Sequence, residues 1–185
     1  FSCADGEGNW VACTATVNTS FGSKVIIPGT GVIMNNEMDD FSIAPGVPNA
    51  FGLLGAEANA VAPGKRPLSS MSPSIVLKDG KPILAVGAAG GPTIITQTLL
   101  AIIHTIDFGL PLKEALAQPH FHHQWAPDQI RIERKVGEKV LAQLRKRGHS
   151  LKIYSQMGAT QATSLKNGKF DAAHDPRLKG KATSY

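Results

Sequence analysis

Only two of the 185 residues are cysteines, Cys3 and Cys13, and aromatic side chains make up 6% of the chain. The cysteine spacing matches no zinc or redox motif, so both read as packed thiols. No apolar run approaches the ~18 residues that a membrane-crossing helix needs. The longest candidate, Ile94 to Ile106, is interrupted by Thr96, Gln97, Thr98, His104 and Thr105, which predicts a soluble chain without membrane contact. The phosphate-loop ending Gly-Lys-Ser/Thr, the Gly-x-Ser-x-Gly elbow and the Ser-x-x-Lys pair are also missing, as is any internal repeat.

A net charge of +5 invites a nucleic-acid reading. Much of that excess lies between Arg131 and Arg147, where Val136, Val140, Leu141 and Leu144 mark the buried face of a helix and the basic residues its solvated face. Basic residues interleaved with stacking aromatics would look different, so no nucleic-acid partner is expected. With 42% hydrophobic and 18% charged residues the chain can build one sizeable core. It opens at Phe1 without an initiator Met, a basic leader or an apolar signal segment, and reads as a piece of a longer precursor.

Two short strands, in 1–5 and 10–17, are predicted around the Gly6-Glu7-Gly8-Asn9 turn, with a further short strand at 32–34. Residues 44–63, rich in Pro, Gly and Ala, read as a long loop of the kind that serves as a lid. Asp79-Gly80 and Asn167-Gly168 signal hairpins. Gly87-Ala88-Ala89-Gly90-Gly91 links a strand to a long, mostly buried helix that begins near Pro92, continues through Ile95, Leu99, Ile102, Ile103 and Ile106, and ends at Gly109. A short helix at 112–117 and a strand at 151–154 follow. Strands at both ends with helices between them predict an α+β layered architecture in a single domain spanning 1–185.

Four constellations carry chemistry. The glycines before Pro92 place backbone N–H groups at a helix N-terminus, suited to an anion or oxyanion, or serve merely as a tight turn. Glu37, Asp39 and Asp40 form paired carboxylates, metal ligands or an ammonium site, or else a solvated acidic turn; the spacing lacks the Gly and terminal Glu of a calcium loop. Ser69 and Ser70, between Pro67 and Pro73, read as binding hydroxyls or as a plain turn. His120, His122 and His123 form a structural cluster beside Trp125, with no further ligand-spaced residue to suggest a metal.

Together these pieces resemble the small subunit of gamma-glutamyltranspeptidase, an N-terminal-nucleophile hydrolase family. The resemblance covers almost the whole chain. It rests on Asn18-Thr19-Ser20-Phe21-Gly22, on Asn35-Asn36-Glu37-Met38-Asp39-Asp40-Phe41-Ser42 and on Arg66-Pro67-Leu68-Ser69-Ser70-Met71. Gly90-Gly91, Phe121-His122-His123-Gln124-Trp125 and Asp175-Pro176-Arg177 complete it. It implies a four-layer αββα sandwich completed by a large subunit cut from the same precursor, and no metal or organic cofactor. It also implies γ-glutamyl transfer from glutathione and related donors to water, amino acids or peptides, through an acyl-enzyme on an N-terminal threonine.

Residue by residue, the resemblance assigns Asn18, Glu37 and Asp40 to the donor's α-amino group and Ser69 and Ser70 to its α-carboxylate. Gly90 and Gly91 become the oxyanion hole, and Thr16 a hydrogen-bond partner of the nucleophile. Residues 45–56 become a lid with Phe51 as its aromatic gate. The nucleophile would lie three places before Phe1, so the chain alone is expected to be inactive, and the carboxylate-binding arginine belongs to the large subunit. Ala88-Ala89 stands where Ser-Pro or a similar pair is common. A periplasmic or secreted location is implied. Two rivals remain: an acylase of the same superfamily acting on glutaryl β-lactams or polyglutamate, and a non-catalytic γ-glutamyl-binding protein.

Overall fold

Turn chemistry sets the first elements in a computed structural model of the protein, which describes residues 1–184. Asp79 and Gly80 both take positive φ (51° and 75°), as do Asn167 and Gly168 (53° and 74°). This is the two-residue turn whose twist matches that of paired strands. Only glycine, asparagine and aspartate enter that region cheaply, which is why these dipeptides could be read from the sequence.

The strands and helices, in chain order, are β1 (Ser2–Ala4), β2 (Trp10–Ala12), β3 (Ser74–Lys78), β4 (Lys81–Ala89), α1 (Thr93–Ile106), α2 (Leu112–Leu116), β5 (Phe121–His122), β6 (Ile130–Glu133), α3 (Glu138–Lys146), β7 (Leu151–Tyr154), β8 (Ala159–Lys166) and β9 (Lys169–His174). The fold class is α+β. The chain divides into two compact units: residues 1–14 with everything from Ser70 onward, and residues 15–69.

The larger unit is built on an antiparallel sheet of order β3-β4-β8-β9. Strand alternation decides what each face meets. Leu84 and Val86 of β4, with Ala162 of β8 and Ala173 of β9, join Ala101 of α1 and Leu112 and Leu116 of α2 in the buried core. The intervening residues face the other way. There Thr163 Oγ1 lies 3.2 Å from Ser2 Oγ and donates to the Ser2 carbonyl at 3.3 Å, so the β1-β2 hairpin covers that face. The unit is thus layered as helices, main sheet and hairpin. A second sheet, β5-β6-β7, pairs β6 and β7 in parallel, with α3 as the crossover between them and its Leu141 fully buried.

Two expectations change. Helix α1 is not mostly buried: Ile95, Leu99 and Ile106 are exposed, while Thr93, Gln97 and Thr98 are buried with Ile94, Leu100 and Ala101. Apolar periodicity predicts the helix but cannot say which stripe this chain itself covers. Cys3, expected to pack, is exposed because it points outward from β1.

The 15–69 unit has little apolar core; among its described residues Phe41 is the buried apolar side chain. Polar hydrogen bonds hold it instead. The expected strand at 32–34 is one limb of an irregular ribbon, with Ile27 N–H donating to the Val32 carbonyl and Met34 N–H to the Val25 carbonyl, each at 2.9 Å.

Candidate active site

Within the 15–69 unit, Asn36 fastens Asn18 and Thr19 to the acidic segment. Asn18 Nδ2 donates to the Asn36 carbonyl (3.0 Å), and Thr19 donates through both its N–H and its hydroxyl to Asn36 Oδ1 (3.0 Å each). Thr16 Oγ1 accepts the Asn18 N–H at 2.9 Å, and Asn18 itself takes a positive φ of 75°. With its side-chain amide directed at Asn36, Asn18 keeps Oδ1 as an acceptor.

Glu37–Asp40 is one turn of 3-10 helix. In that geometry residues i and i+3 eclipse, so Glu37 and Asp40 stand over one another. Their carboxyl groups share a hydrogen bond. Burial and then the Asp40 charge push the Glu37 carboxyl up from its ordinary range. Burial also raises Asp40, opposed by the Glu37 hydrogen bond and assisted by the Asp39 charge. The pair therefore titrates as a coupled unit that holds a proton more tightly than two separate carboxylates would.

Asp39 does different work. Its carboxylate accepts the Ala50 N–H at 3.0 and 3.3 Å and so ties down the 44–55 loop. Asn49 Oδ1 accepts the N–H groups of Phe51 and Leu53, both at 3.0 Å, leaving half-buried Phe51 near the loop tip. Of the three candidate carboxylates, two pair and one anchors a loop, a division that sequence spacing alone did not resolve.

Asn59, which sequence reasoning missed, is a local hub. Its Nδ2 donates to the Asp40 carbonyl (2.8 Å), its Oδ1 accepts the Leu68 N–H (2.9 Å), and its own carbonyl accepts the Ser42 N–H (3.0 Å). It thus connects the backbone beside Asp40 to the residue before exposed Ser69.

In the larger unit, Ser70 is half-buried and its carbonyl accepts Ser72 Oγ at 3.0 Å. Gly90 and Gly91 form the bend between β4 and α1 at φ of 144° and 58°. The Gly90 carbonyl accepts Thr93 Oγ1 (2.8 Å) and the Thr93 N–H (3.3 Å), while the Gly91 carbonyl accepts the Ile94 N–H (3.0 Å). A Cβ on Gly90 would lie 2.6 Å from Thr93 Oγ1 and 2.8 Å from Gln97 Nε2, so glycine is required by space as well as by φ.

The three histidines go to different partners. His120 Nδ1 lies 2.7 Å from the Met157 carbonyl, His122 Nδ1 lies 3.1 Å from Thr96 Oγ1, and exposed His123 pairs with Asp128 at 3.0 Å. Among the described residues no group of three or more His, Cys, Asp or Glu is arranged to hold a metal ion. Next to His120 lies a buried ionic cluster. Arg177 donates to Glu133 at 2.6 and 2.7 Å and to Asp175 at 2.9 and 3.2 Å. It also reaches the Leu116 and Gln118 carbonyls.

A family model described as gamma-glutamyltranspeptidase matches residues 1–185. The chain belongs to this family. It is 47% identical over 178 residues to the glutathione hydrolase proenzyme of Escherichia coli K12, covering 96% of this chain and 31% of that protein. A solved gamma-glutamyltranspeptidase of Pseudomonas nitroreducens, complexed with L-DON, superposes with a TM-score of 0.95 at 43% identity, covering 100% of this chain and 98% of that one. A solved cephalosporin acylase of Bacillus halodurans gives a TM-score of 0.87 at 28% identity, covering 100% of this chain and 33% of that one. The chain thus spans about a third of the length of the glutathione hydrolase proenzymes of Escherichia coli and Pseudomonas aeruginosa, and nearly all of a separate chain in a solved family member. It corresponds to the family's small subunit, of the N-terminal-nucleophile hydrolase type.

Proposed function

We propose that residues 1–185 act as the small-subunit domain of a γ-glutamyltransferase and glutathione hydrolase. The observation that carries this reading is the Glu37–Asp40 pair beside Asn18. Two carboxyls sharing a hydrogen bond, with an amide oxygen on the adjoining segment, suit an ammonium, which has three donors and no acceptor. A bound α-amino group offsets the burial and mutual repulsion that raise the two carboxyls, and so favours their ionised forms. Ser69 and Ser70 hold the donor's α-carboxylate, together with an arginine from a large subunit.

In the chemical step, the hydroxyl of an N-terminal threonine outside residues 1–185 attacks the γ-carbonyl and passes its proton to that threonine's own α-amino group. Thr16 hydrogen-bonds the nucleophile. The tetrahedral oxyanion takes hydrogen bonds from the Gly90 and Gly91 N–H groups, and the leaving amine departs with the transferred proton. Water or the amine of an amino acid or peptide then attacks the γ-glutamyl ester and regenerates the hydroxyl. This route calls for neither metal nor organic cofactor. Residues 45–56 serve as a lid over the bound donor with Phe51 as its gate, supported by the Asp39–Ala50 tie that holds the loop near its tip.

The large subunit is supported by what this chain leaves uncovered: the exposed stripe of Ile95, Leu99 and Ile106 on α1, and the outer edge of β9. No helix among the described residues is long and apolar enough to cross a membrane. A periplasmic or secreted location is part of the proposal, checked by fractionating cells that express the full precursor.

Release of a chromogenic anilide from a γ-glutamyl donor by the complete, processed two-chain protein tests the reading. Release that rises when a dipeptide acceptor is added is the expected result. A complete, processed protein that binds γ-glutamyl compounds without releasing the anilide would instead be the non-catalytic binder. The likeness to a cephalosporin acylase favours, as a second reading, cleavage of glutaryl side chains. A glutaryl group has no ammonium, so turnover of glutaryl amides in preference to γ-glutamyl amides selects that alternative.

A further inference from the structure

Gln97 sits on the second turn of α1 with 1% of its surface exposed. A primary amide buried so deeply in a helix face is costly unless each polar atom finds a partner. Here each does. Nε2 donates to Thr93 Oγ1 (2.7 Å), one helical turn earlier, and to the Ala89 carbonyl (3.3 Å); Oε1 accepts Thr160 Oγ1 (3.4 Å). Thr93 in turn donates to the Gly90 carbonyl at 2.8 Å.

The two carbonyls held in this way matter because a peptide unit is planar and trans, with its C=O and the following N–H pointing in opposite directions. Holding the Ala89 carbonyl therefore sets the direction of the Gly90 N–H. Holding the Gly90 carbonyl sets that of the Gly91 N–H. Gln97 and Thr93 draw both carbonyls toward the helix, which turns both N–H groups away from it. Among the described residues neither N–H donates a hydrogen bond.

The surroundings make room for this arrangement. Gly158, at φ 56°, packs against it, and a Cβ there would overlap Gln97 Nε2 and come within 2.6 Å of the Ala89 carbonyl. Thr160, which donates to Gln97, is fully buried, and its own N–H is held by Asp175 Oδ2 at 2.9 Å. Asp175 is in turn bound by Arg177. A continuous chain of hydrogen bonds thus runs from the buried ionic cluster to the glycine turn.

We propose that Gln97, acting through Thr93 and the Ala89 carbonyl, is a positioning residue that aims the Gly90 and Gly91 N–H groups at the oxyanion of the tetrahedral intermediate. This inference rests on the γ-glutamyl-transfer reading. Gln97 does not touch the substrate. Its contribution is preorganisation, realised as charge develops on the γ-carbonyl oxygen and almost absent in the ground-state complex.

The experiment compares Gln97→Met, which keeps length and volume but removes the amide, with Thr93→Val and Thr93→Ser in the complete, processed two-chain protein. Gln97→Met and Thr93→Val should each lower kcat about 10- to 100-fold with KM for the γ-glutamyl donor changed less than about twofold. Thr93→Ser, which keeps the hydroxyl, should stay near the parent. Affinity for a tetrahedral boronate analogue of the γ-glutamyl group should fall in parallel with kcat/KM. Gln97→Met with unchanged kcat, or with its whole effect in KM, overturns the inference while leaving the γ-glutamyl-transfer reading intact. A parent protein that releases no γ-glutamyl group overturns that reading and the inference with it.

Discussion

Replacing Asp40 with asparagine in the complete, processed protein should raise KM for a γ-glutamyl donor about 10- to 100-fold without lowering thermal stability. The two effects separate because the Glu37–Asp40 pair is built for a ligand. An ionised carboxylate bonded to an ammonium contributes roughly 1.5–3 kcal/mol, which sets the scale of the loss in binding. In the free protein the same carboxylate lies beside Glu37, and the carboxyls of both are raised by burial, with Asp40 further charging Glu37. A carboxyl whose folded pKa lies above its unfolded one opposes folding once the pH exceeds the unfolded value, and the opposition fades as the pH falls and the group is protonated. Removing Asp40 relieves Glu37 of that neighbour, so the melting temperature should hold or rise. Donor affinity in the parent should weaken as the pH drops into the raised range of the pair, because the ammonium then competes with a proton. A donor KM that is flat with pH, or indifferent to Asp40→Asn, would shift the reading toward the acylase.

Arg177→Met should destabilise the larger unit by about 3–5 kcal/mol, the range seen when one partner of a buried ion pair is removed. The Arg177 side chain is 8% exposed, Glu133 2% and Asp175 0%, so solvent screening offers little relief. Both carboxylates would remain buried without their countercharge. The triple variant Arg177→Met, Glu133→Gln, Asp175→Asn removes all three charges while keeping acceptors for the Thr160 and Met157 N–H groups, and should recover part of the loss. Urea unfolding of the two-chain protein measures both. A triple variant no better than Arg177→Met would show that packing, not uncompensated charge, dominates there.

Acid should act on this cluster in the same direction. Burial alone would raise Glu133, but the Arg177 hydrogen bonds and the N–H groups of His120 and Met157 outweigh it and hold the carboxyl below its ordinary range. A depressed carboxyl contributes stability above its unfolded pKa, and this is lost as the pH falls through the folded value. Burial lowers His120, against the pull of the Met157 carbonyl, so the unfolded chain takes up the histidine proton first and stability declines below the ordinary histidine range. Burial lowers His104 and His122 as well, so the larger unit should lose stability in two stages on acidification, the first of them reduced, not abolished, by His120→Gln.

Much of the fold and of the candidate site was legible because the signals are local. Asp79-Gly80 and Asn167-Gly168 dictate their turns through the φ values these residues accept. The glycines before α1 likewise announce a strand-to-helix bend where no side chain fits. The family follows from long ordered motifs. Partners distant in sequence could not be read in this way. Asp175-Pro176-Arg177 stood out as a motif, but its buried counterion, Glu133, lies 44 residues away on β6. Gln97 registered only as an interruption in an apolar run, and Asn59 not at all, because nothing within a few residues of either shows what its amide will meet.

The sequence by itself determined the family, the elements bounded by special turns, and the supply of acceptors for an ammonium and hydroxyls for a carboxylate. Tertiary structure alone decided how those groups are divided. One turn of 3-10 helix stacks Glu37 on Asp40 and sends Asp39 to the Ala50 N–H. Packing of α1 against the sheet turns Gln97 inward and leaves Ile95 and Leu99 outside. The physical reason is range: backbone preference and side-chain chemistry act over a few residues, whereas burial and hydrogen-bond partnership are settled only when distant segments close around one another.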